Sequence, residues 1–460
     1  MVPSGGFVLD GRVLVFALGA SLATSVLFGA LPALAAKRVD LRTMLAAGGR
    51  SVAGGSGRLR KGLIGAEVAL TVVLLAAAGL LLRTLVHLET LPPGFDPHNV
   101  MTAKASLNDA RYRNAVAFRT LLTESIAAMK RIPGVEDAAV GLSAPYERGL
   151  NSGIVLNEGP RSGTKAAMTG SSASYVTPDY FRVLRVGVLA GRTFTDSDTA
   201  TSEPVAVVNQ AFARSFFHGT NAVGQHFRIM GNSGKPALAI VGVVGDVVKE
   251  PGEFPNAPLA TEPVFYIPAT QVKDPAEWHA WFQPSWIVRT AGPVRGLTDA
   301  MQKALAGVDP NLPFSGYYSM DDLMDRELQT QRIEVLLMGV LSGLALLLSA
   351  VGIYAMVSHL VVQRTREIGI RLALGSSLAE AMRAIAATGV MAAGYGAAVG
   401  VGCSFLALRL MKSAVYGVGT HDPLTLVSVP LMLLAVAAAA SLLPALRIAR
   451  IDPAETLRSE

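Results

Sequence analysis

Uncharged apolar stretches long enough to cross a bilayer recur along the chain. They run from Val13 to Ala36, from Val335 to Val362, from Ala384 to Leu408 and from Leu424 to Leu446, with another from Leu63 to Leu82 interrupted only by Glu67 near its start. About 20 helical residues cross the roughly 30 Å of hydrocarbon, and a central Asp, Lys or Arg costs about 2.5–3.5 kcal/mol, so runs of this kind predict five transmembrane helices. The stretch between the second and third spans has a different rhythm. Ala115–Lys130 carries apolar residues at helical spacing and stops before Pro133-Gly134, and Val135–Gly141 then reads as a strand. Further short strands are predicted at Val205–Val208, Leu238–Val244, Val264–Ile267 and Ile287–Val288, and a second amphipathic helix at Val294–Ala306.

The reading is thus an α-helical membrane protein with a large α/β extracytoplasmic domain. Its segments are a first transmembrane helix at 13–36, a basic loop at 37–62, a second helix at 63–86, an exported domain at 87–332, and a membrane region at 333–460 with helices at 335–362, 384–408 and 424–446. Composition agrees: among 460 residues 51% are hydrophobic and only 16% charged, with a mean hydropathy of +0.42. Soluble domains carry about 25% charged residues. Disorder, a collagen repeat and a disulfide scaffold are excluded, the last because Cys403 is the single cysteine and lies inside a span.

The charge that is present sets the direction of threading. Lys37, Arg38, Arg42, Arg50, Arg58, Arg60 and Lys61 face one acid, Asp40, in the first loop; Arg364, Arg366 and Arg371 follow the third span, and Arg447, Arg450 and Arg458 the last. Short basic loops stay in the cytoplasm, so the N-terminus and the exported domain are predicted to be periplasmic and the C-terminus cytoplasmic. The net charge of +6 then follows from topology and implies no nucleic-acid partner. Met1–Arg12 lacks a basic n-region and no small-residue cleavage site follows the first span, so that span is predicted to be retained.

Chemistry is sparse. The exported domain has no HExxH, no G-x-S-x-G and no Cys/His cluster, and His279, between Trp278 and Trp281, reads as a packing residue. Asp196, Asp198 and Glu203, near Gly191-Arg192, read as a solvated loop. Gly231-Asn232-Ser233-Gly234-Lys235-Pro236 has the wrong glycine spacing for a phosphate loop and a proline where Ser or Thr is needed. No catalytic, metal or cofactor-binding residue is assigned.

Two segments carry more information. Gln363–Ser376, after the third span, reads as a short amphipathic helix at the membrane face, with Ile368, Leu372 and Ala373 on one side and a Glu367–Arg371 pair. It suits either a docking helix or a simple basic anchor. The second is a repeat: Leu31-Pro32-Ala33-Leu34, Arg38, Asp40 and Leu45 recur at constant offset as Leu443-Pro444-Ala445-Leu446, Arg450, Asp452 and Leu457, so the first span ends as the last one does.

With these residues the chain resembles permeases of the MacB/FtsX superfamily, and most closely the C-terminal half of an acidobacterial duplicated orphan permease. The resemblance rests on Arg366–Ser376, Ser349–Tyr354 and Leu443–Leu457 in the membrane region, and on Val176–Phe181, Leu189–Arg192 and Ile240–Asp246 outside it. It implies a permease subunit of an ATP-driven export or mechanotransmission complex, without enzymatic activity of its own. A cytoplasmic ABC ATPase would be its partner, docking at Arg364, Arg366, Glu367, Ile368, Gly369, Arg371, Leu372 and Gly375. The resemblance also implies a homodimer or pairing with a second permease unit in the lipid of the inner membrane. The exported domain would comprise a porter-like part at 99–145 and 284–325, with 146–283 inserted in it. The alternative is a non-transporting scaffold or sensor that regulates a periplasmic cell-wall enzyme. Gly394, Gly396, Gly400 and Gly402 are expected to let helices pack closely, and the near absence of charge in the spans argues against an aqueous path.

Overall fold

The structure is a computed structural model that describes residues 53–156, 168–217, 221–230, 236–250, 259–374, 376–410, 416 and 423–446, together with isolated positions in the first predicted span. Most of that span, the repeat at 31–45 and most of its counterpart at 443–457 lie outside the described residues. The described residues form two compact units, one from 53–76, 341–406 and 423–446, the other from 77–340 with 407–410 and 416.

Along the chain, helix α1 (Ala53–Glu89) leads to β1 (Val100–Ala105), α2 (Ala115–Lys130) and β2 (Val135–Gly141). Next come β3 (Leu150–Leu156), β4 (Met168–Val176), β5 (Val188–Gly191), β6 (Val205–Asn209) and α3 (Gln210–Phe217). They are followed by β7 (His226–Ile229), β8 (Leu238–Val244), β9 (Val264–Pro268) and α4 (Pro275–His279). The exported unit ends with β10 (Ser285–Thr290), α5 (Leu297–Val308), β11 (Phe314–Ser319) and α6 (Met320–Glu327); then come α7 (Gln329–Ala373), α8 (Leu378–Leu410) and α9 (Pro423–Ala445).

Among the described residues four helical stretches are long and apolar enough to cross a membrane: Gly62–Glu89, Gln329–Thr365, Leu378–Ala407 and Val427–Ala445. One departure from expectation is α7. The span and the predicted short helix after it form one continuous helix of 45 residues, because Arg364–Ala373 contains good helix formers and Gly369 alone does not break it.

In the exported unit, β1, β2, β10 and β11 form an antiparallel sheet in the order β11-β1-β10-β2, with α2 and α5 packed on each other. This is the split βαβ arrangement. Asn114 caps α2 by accepting from the Val116 N–H, and Gly134 at φ +87° turns the chain into β2.

The segment between β2 and β10 is different. β3 pairs with β4, β4 with β9, β9 with β6, β6 with β8, β8 with β7 and β7 with β3, so six strands close into a ring. β5 lies outside the ring on β8, and one residue pair, Gly141 with Val176, joins β2 to β4. β6 and β9 are apolar throughout because both faces are covered. Ala206, Val208, Phe265 and Ile267 belong to one core, Val205, Val207, Val264 and Tyr266 to the other. The second core also takes in Leu85 and Leu88 of α1 and Leu328, with Val335 of α7 packed against it.

Candidate functional site

The membrane unit is held by close contacts between helices. On α8, a Cβ built at Gly396 would lie 2.7 Å from both the Gly65 carbonyl and Val68, and one at Gly400 would lie 2.7 Å from Val72. Gly394 and Gly402 have nothing within 4 Å, so of the four glycines singled out in the sequence only this i, i+4 pair meets α1. Gly389, passed over in the sequence, faces Ser441 of α9 and Val357 of α7. Thr71 of α1 and Ser349 of α7 share a 2.8 Å hydrogen bond, and Gly352 leaves room for the Glu67 carboxylate.

The predicted coupling residues fall on the last turns of α7. Ile368 is buried in the membrane-unit core with Ile64, Val361 and Ile385, whereas Arg364 and Glu367 are exposed. Arg366, Gly369, Arg371 and Leu372 lie on the helix, but their side chains, and with them the Glu367–Arg371 pair, are outside the described residues, as is Gly375 entirely. Beyond the turn, Ser377 caps α8: its hydroxyl accepts from the Glu380 N–H at 3.3 Å and its own N–H donates to the Glu380 carboxylate at 3.4 Å. This S-x-x-E capping box was legible in the sequence and fixes where the hairpin turns back.

In the exported unit polar groups mostly satisfy one another. Asp198 corrects the solvated-loop reading: it is buried, accepts from both terminal nitrogens of Arg192 at 2.8 and 2.9 Å and from the Thr195 N–H, and Arg192 holds its pKa below the usual carboxylate range. His279 is buried against Phe118, with Nε2 2.6 Å from the Tyr175 hydroxyl, and burial lowers its pKa to about 4. It is a neutral packing group. Buried Lys249 lies 3.6 Å from the half-buried carboxylate of Glu262, to which Ser172 also donates. Among the described residues no group of His, Cys, Asp and Glu could hold a metal ion.

Where the chain passes from β2 into the ring and returns, Glu147 ties the two crossings. Its carboxylate is 2.7 Å from Lys104 of β1 and accepts from the Ala144 N–H and the Ser285 hydroxyl. Glu327, at the end of α6, is in electrostatic range of Glu147, Glu250, Lys104 and Arg326; burial, reinforced by the two carboxylates, pushes its pKa up to about 7. The fold therefore holds this proton more tightly than the unfolded chain does. The resulting stability is complete below the free value of 4.5 and is lost as pH rises through about 7. Tryptophan-fluorescence melts between about pH 6 and 8 should fall by the equivalent of 1–2 kcal/mol in the wild type, and Glu327→Gln should flatten that dependence. A Gln variant with an unchanged pH profile would remove Glu327 as its source.

Four helices long and apolar enough to cross a bilayer and a large α/β unit define a membrane protein with a folded domain outside its spans. Residues 68–306 match the MacB-like periplasmic core domain and residues 339–453 the FtsX-like permease C-terminal region, so the chain belongs to this permease family. It is 22% identical over 352 residues to the uncharacterized ABC transporter permease YknZ of Bacillus subtilis (strain 168), covering 75% of this chain and 81% of that one. It is 25% identical over 354 residues to the macrolide export ATP-binding/permease protein MacB 1/2 of Paracoccus denitrificans (strain Pd 1222), covering 74% of this chain and 47% of that one. The chain thus spans about half the length of that exporter. Among solved structures, the periplasmic region of MacB from Actinobacillus actinomycetemcomitans is 16% identical with a TM-score of 0.33, covering 54% of this chain and 97% of that one.

Proposed function

We propose that this chain is the transmembrane subunit of an ABC-type export or mechanotransmission complex, in which a separate cytoplasmic ATPase drives movement of the exported domain. The observation that carries the reading is the rooting of membrane helices in the exported core. Leu85 and Leu88 of α1, Leu328 at the junction of α6 and α7, and Val335 of α7 share the core that contains Phe95, Tyr146 and Tyr180. A displacement of either helix therefore has to move that core or break its packing. In this reading the part at 99–145 and 284–325 is the porter-like base, 146–283 is carried by it, and Arg364–Gly375 is the contact with the ATPase on the cytoplasmic side.

The test is co-purification. Full-length chain tagged at its C-terminus, extracted from native membranes in mild detergent, should bring down an ABC-type ATPase. Gly369→Leu should abolish that association while leaving the tryptophan-fluorescence melt of the exported domain unchanged. Retention of the ATPase by the variant removes the coupling assignment, and recovery of a periplasmic hydrolase alone supports a scaffold instead.

A further inference from the structure

One end of the strand ring is covered by α3, which follows β6. There α3 supplies Phe212, Phe216 and Phe217, and Phe212, Phe227 and Phe265 meet edge-on or tilted with ring centroids 5.1–6.5 Å apart. Near the other end is a cavity of about 350 Å³, within the size range of small-molecule sites, which favour the mouths of β-barrels. Residues of five ring strands line it: Leu150 of β3, Ala173 of β4, Ile229 of β7, Leu238 of β8 and Ile267 of β9, with Trp278 of α4 closing one side. The walls mix these apolar side chains with Asn151, Ser152, Ser202 and Gln271, and the rim carries Arg228, Lys273, Asp274 and Glu277. Asp274 at the rim is engaged in capping the Ala276 N–H, and Glu277 has a partner of its own. Arg228 and Lys273 make no ion pair among the described residues and are exposed at the opening. A partly apolar chamber with two such cations at its opening matches a molecule with an apolar body and an acidic head.

We propose that the mouth of the ring binds an amphipathic anion, its apolar portion between Ala173, Ile229 and Ile267 and its head group at Arg228 and Lys273. The site goes beyond ATP coupling and needs neither nucleotide nor partner, so it stands or falls independently of the function proposed above.

The test uses the full chain in lipid nanodiscs and a photoactivatable straight-chain carboxylic acid, with labelled peptides mapped by mass spectrometry. Labelling is expected to saturate and to concentrate on Leu150–Gly153, Arg228–Met230 and Ile267–Trp278. The unlabelled acid should compete about tenfold or more better than the matched alcohol. Ala173→Trp, which fills the chamber, should remove labelling there. Arg228→Glu combined with Lys273→Glu, at exposed positions that leave the core intact, should weaken it by about tenfold or more. Labelling confined to the membrane helices, or labelling at the ring that persists in both variants, overturns the site. Equal competition by the alcohol overturns the head-group assignment.

Discussion

Replacing Gly400 with leucine is expected to prevent α8 from seating on α1 and to remove most of the folded membrane unit. A Cβ at this position meets Val72 at 2.7 Å, the Ala69 carbonyl at 2.8 Å and the Ala69 Cα at 3.0 Å. Two of those atoms are backbone and cannot rotate away. Overpacking usually costs about 1–3 kcal/mol, and a leucine pressed on helix backbone belongs at or above the top of that range. Gly396→Leu should behave alike, since it meets the Gly65 carbonyl one turn earlier. Gly394→Leu and Gly402→Leu are the internal controls, with open space at both positions and expected changes within about 0.5 kcal/mol. Heating the full chain in detergent and measuring what remains monodisperse by size exclusion separates the pairs. Equal survival of all four variants would falsify the contact.

Arg289→Met is the second large effect, in the exported unit. The guanidinium is buried on β10; its Nε donates to the Val183 carbonyl, and its terminal nitrogens to the carbonyls of His98 and Asp96 at 2.9 and 2.7 Å, with the Asp96 carboxylate at 3.3 Å. It binds the segment entering β1, and the short helix at Tyr180–Val183, to the four-stranded sheet. Methionine fills much of the volume but leaves the carbonyls of Val183, His98 and Asp96 without that donor, while the Asp96 carboxylate keeps Arg185 and His98; unsatisfied buried acceptors cost about 1–3 kcal/mol each, so a loss of about 3 kcal/mol or more is expected. Arg182→Met is the contrast. Its side chain is 68% exposed, and its pairs with Asp137 and Asp179 are worth about 1 kcal/mol or less. All three tryptophans of the chain lie in this domain, so their fluorescence during urea unfolding reads the difference directly. Similar midpoints for the two variants would remove Arg289 from its clamping role.

Much of this architecture was legible from pattern, and the limits were physical. α2, β2 and β8 begin and end where spacing and turn residues place them, because Asn114, Pro133 and Gly134 are local signals that act on their own neighbours. β4 was missed. Its sequence is rich in serine and glycine, and it is a strand because β3 and β9 pair with it and because hydroxyls such as Ser171 donate to backbone, here to the Pro263 carbonyl. Ring closure was equally invisible, since β4 pairs with β9 across a sequence gap that no window spans. The segment after the third span was legible as helical, with Ile368 on the buried side, but not as the end of α7, because a charged run after a span looks like a boundary even where the helix continues. The glycines were legible as a group. Which of them touch a neighbour depends on helix rotation, and only Gly396 and Gly400 of the four face α1.

The position of β1 also governs how the domain is made. β1 lies between β10 and β11, so the strand delivered first in the four-stranded sheet receives its two neighbours last, after the whole ring has emerged. Until Ser285–Ser319 arrives, β1 has two bare edges, and no disulfide can hold the place, since the only cysteine lies in a membrane helix. Non-local pairing of this kind is slow and leaves strand edges open to wrong partners. A chain halted before β10 holds every strand of the ring yet keeps β1 unpaired, so a finished ring is no sign of a finished domain.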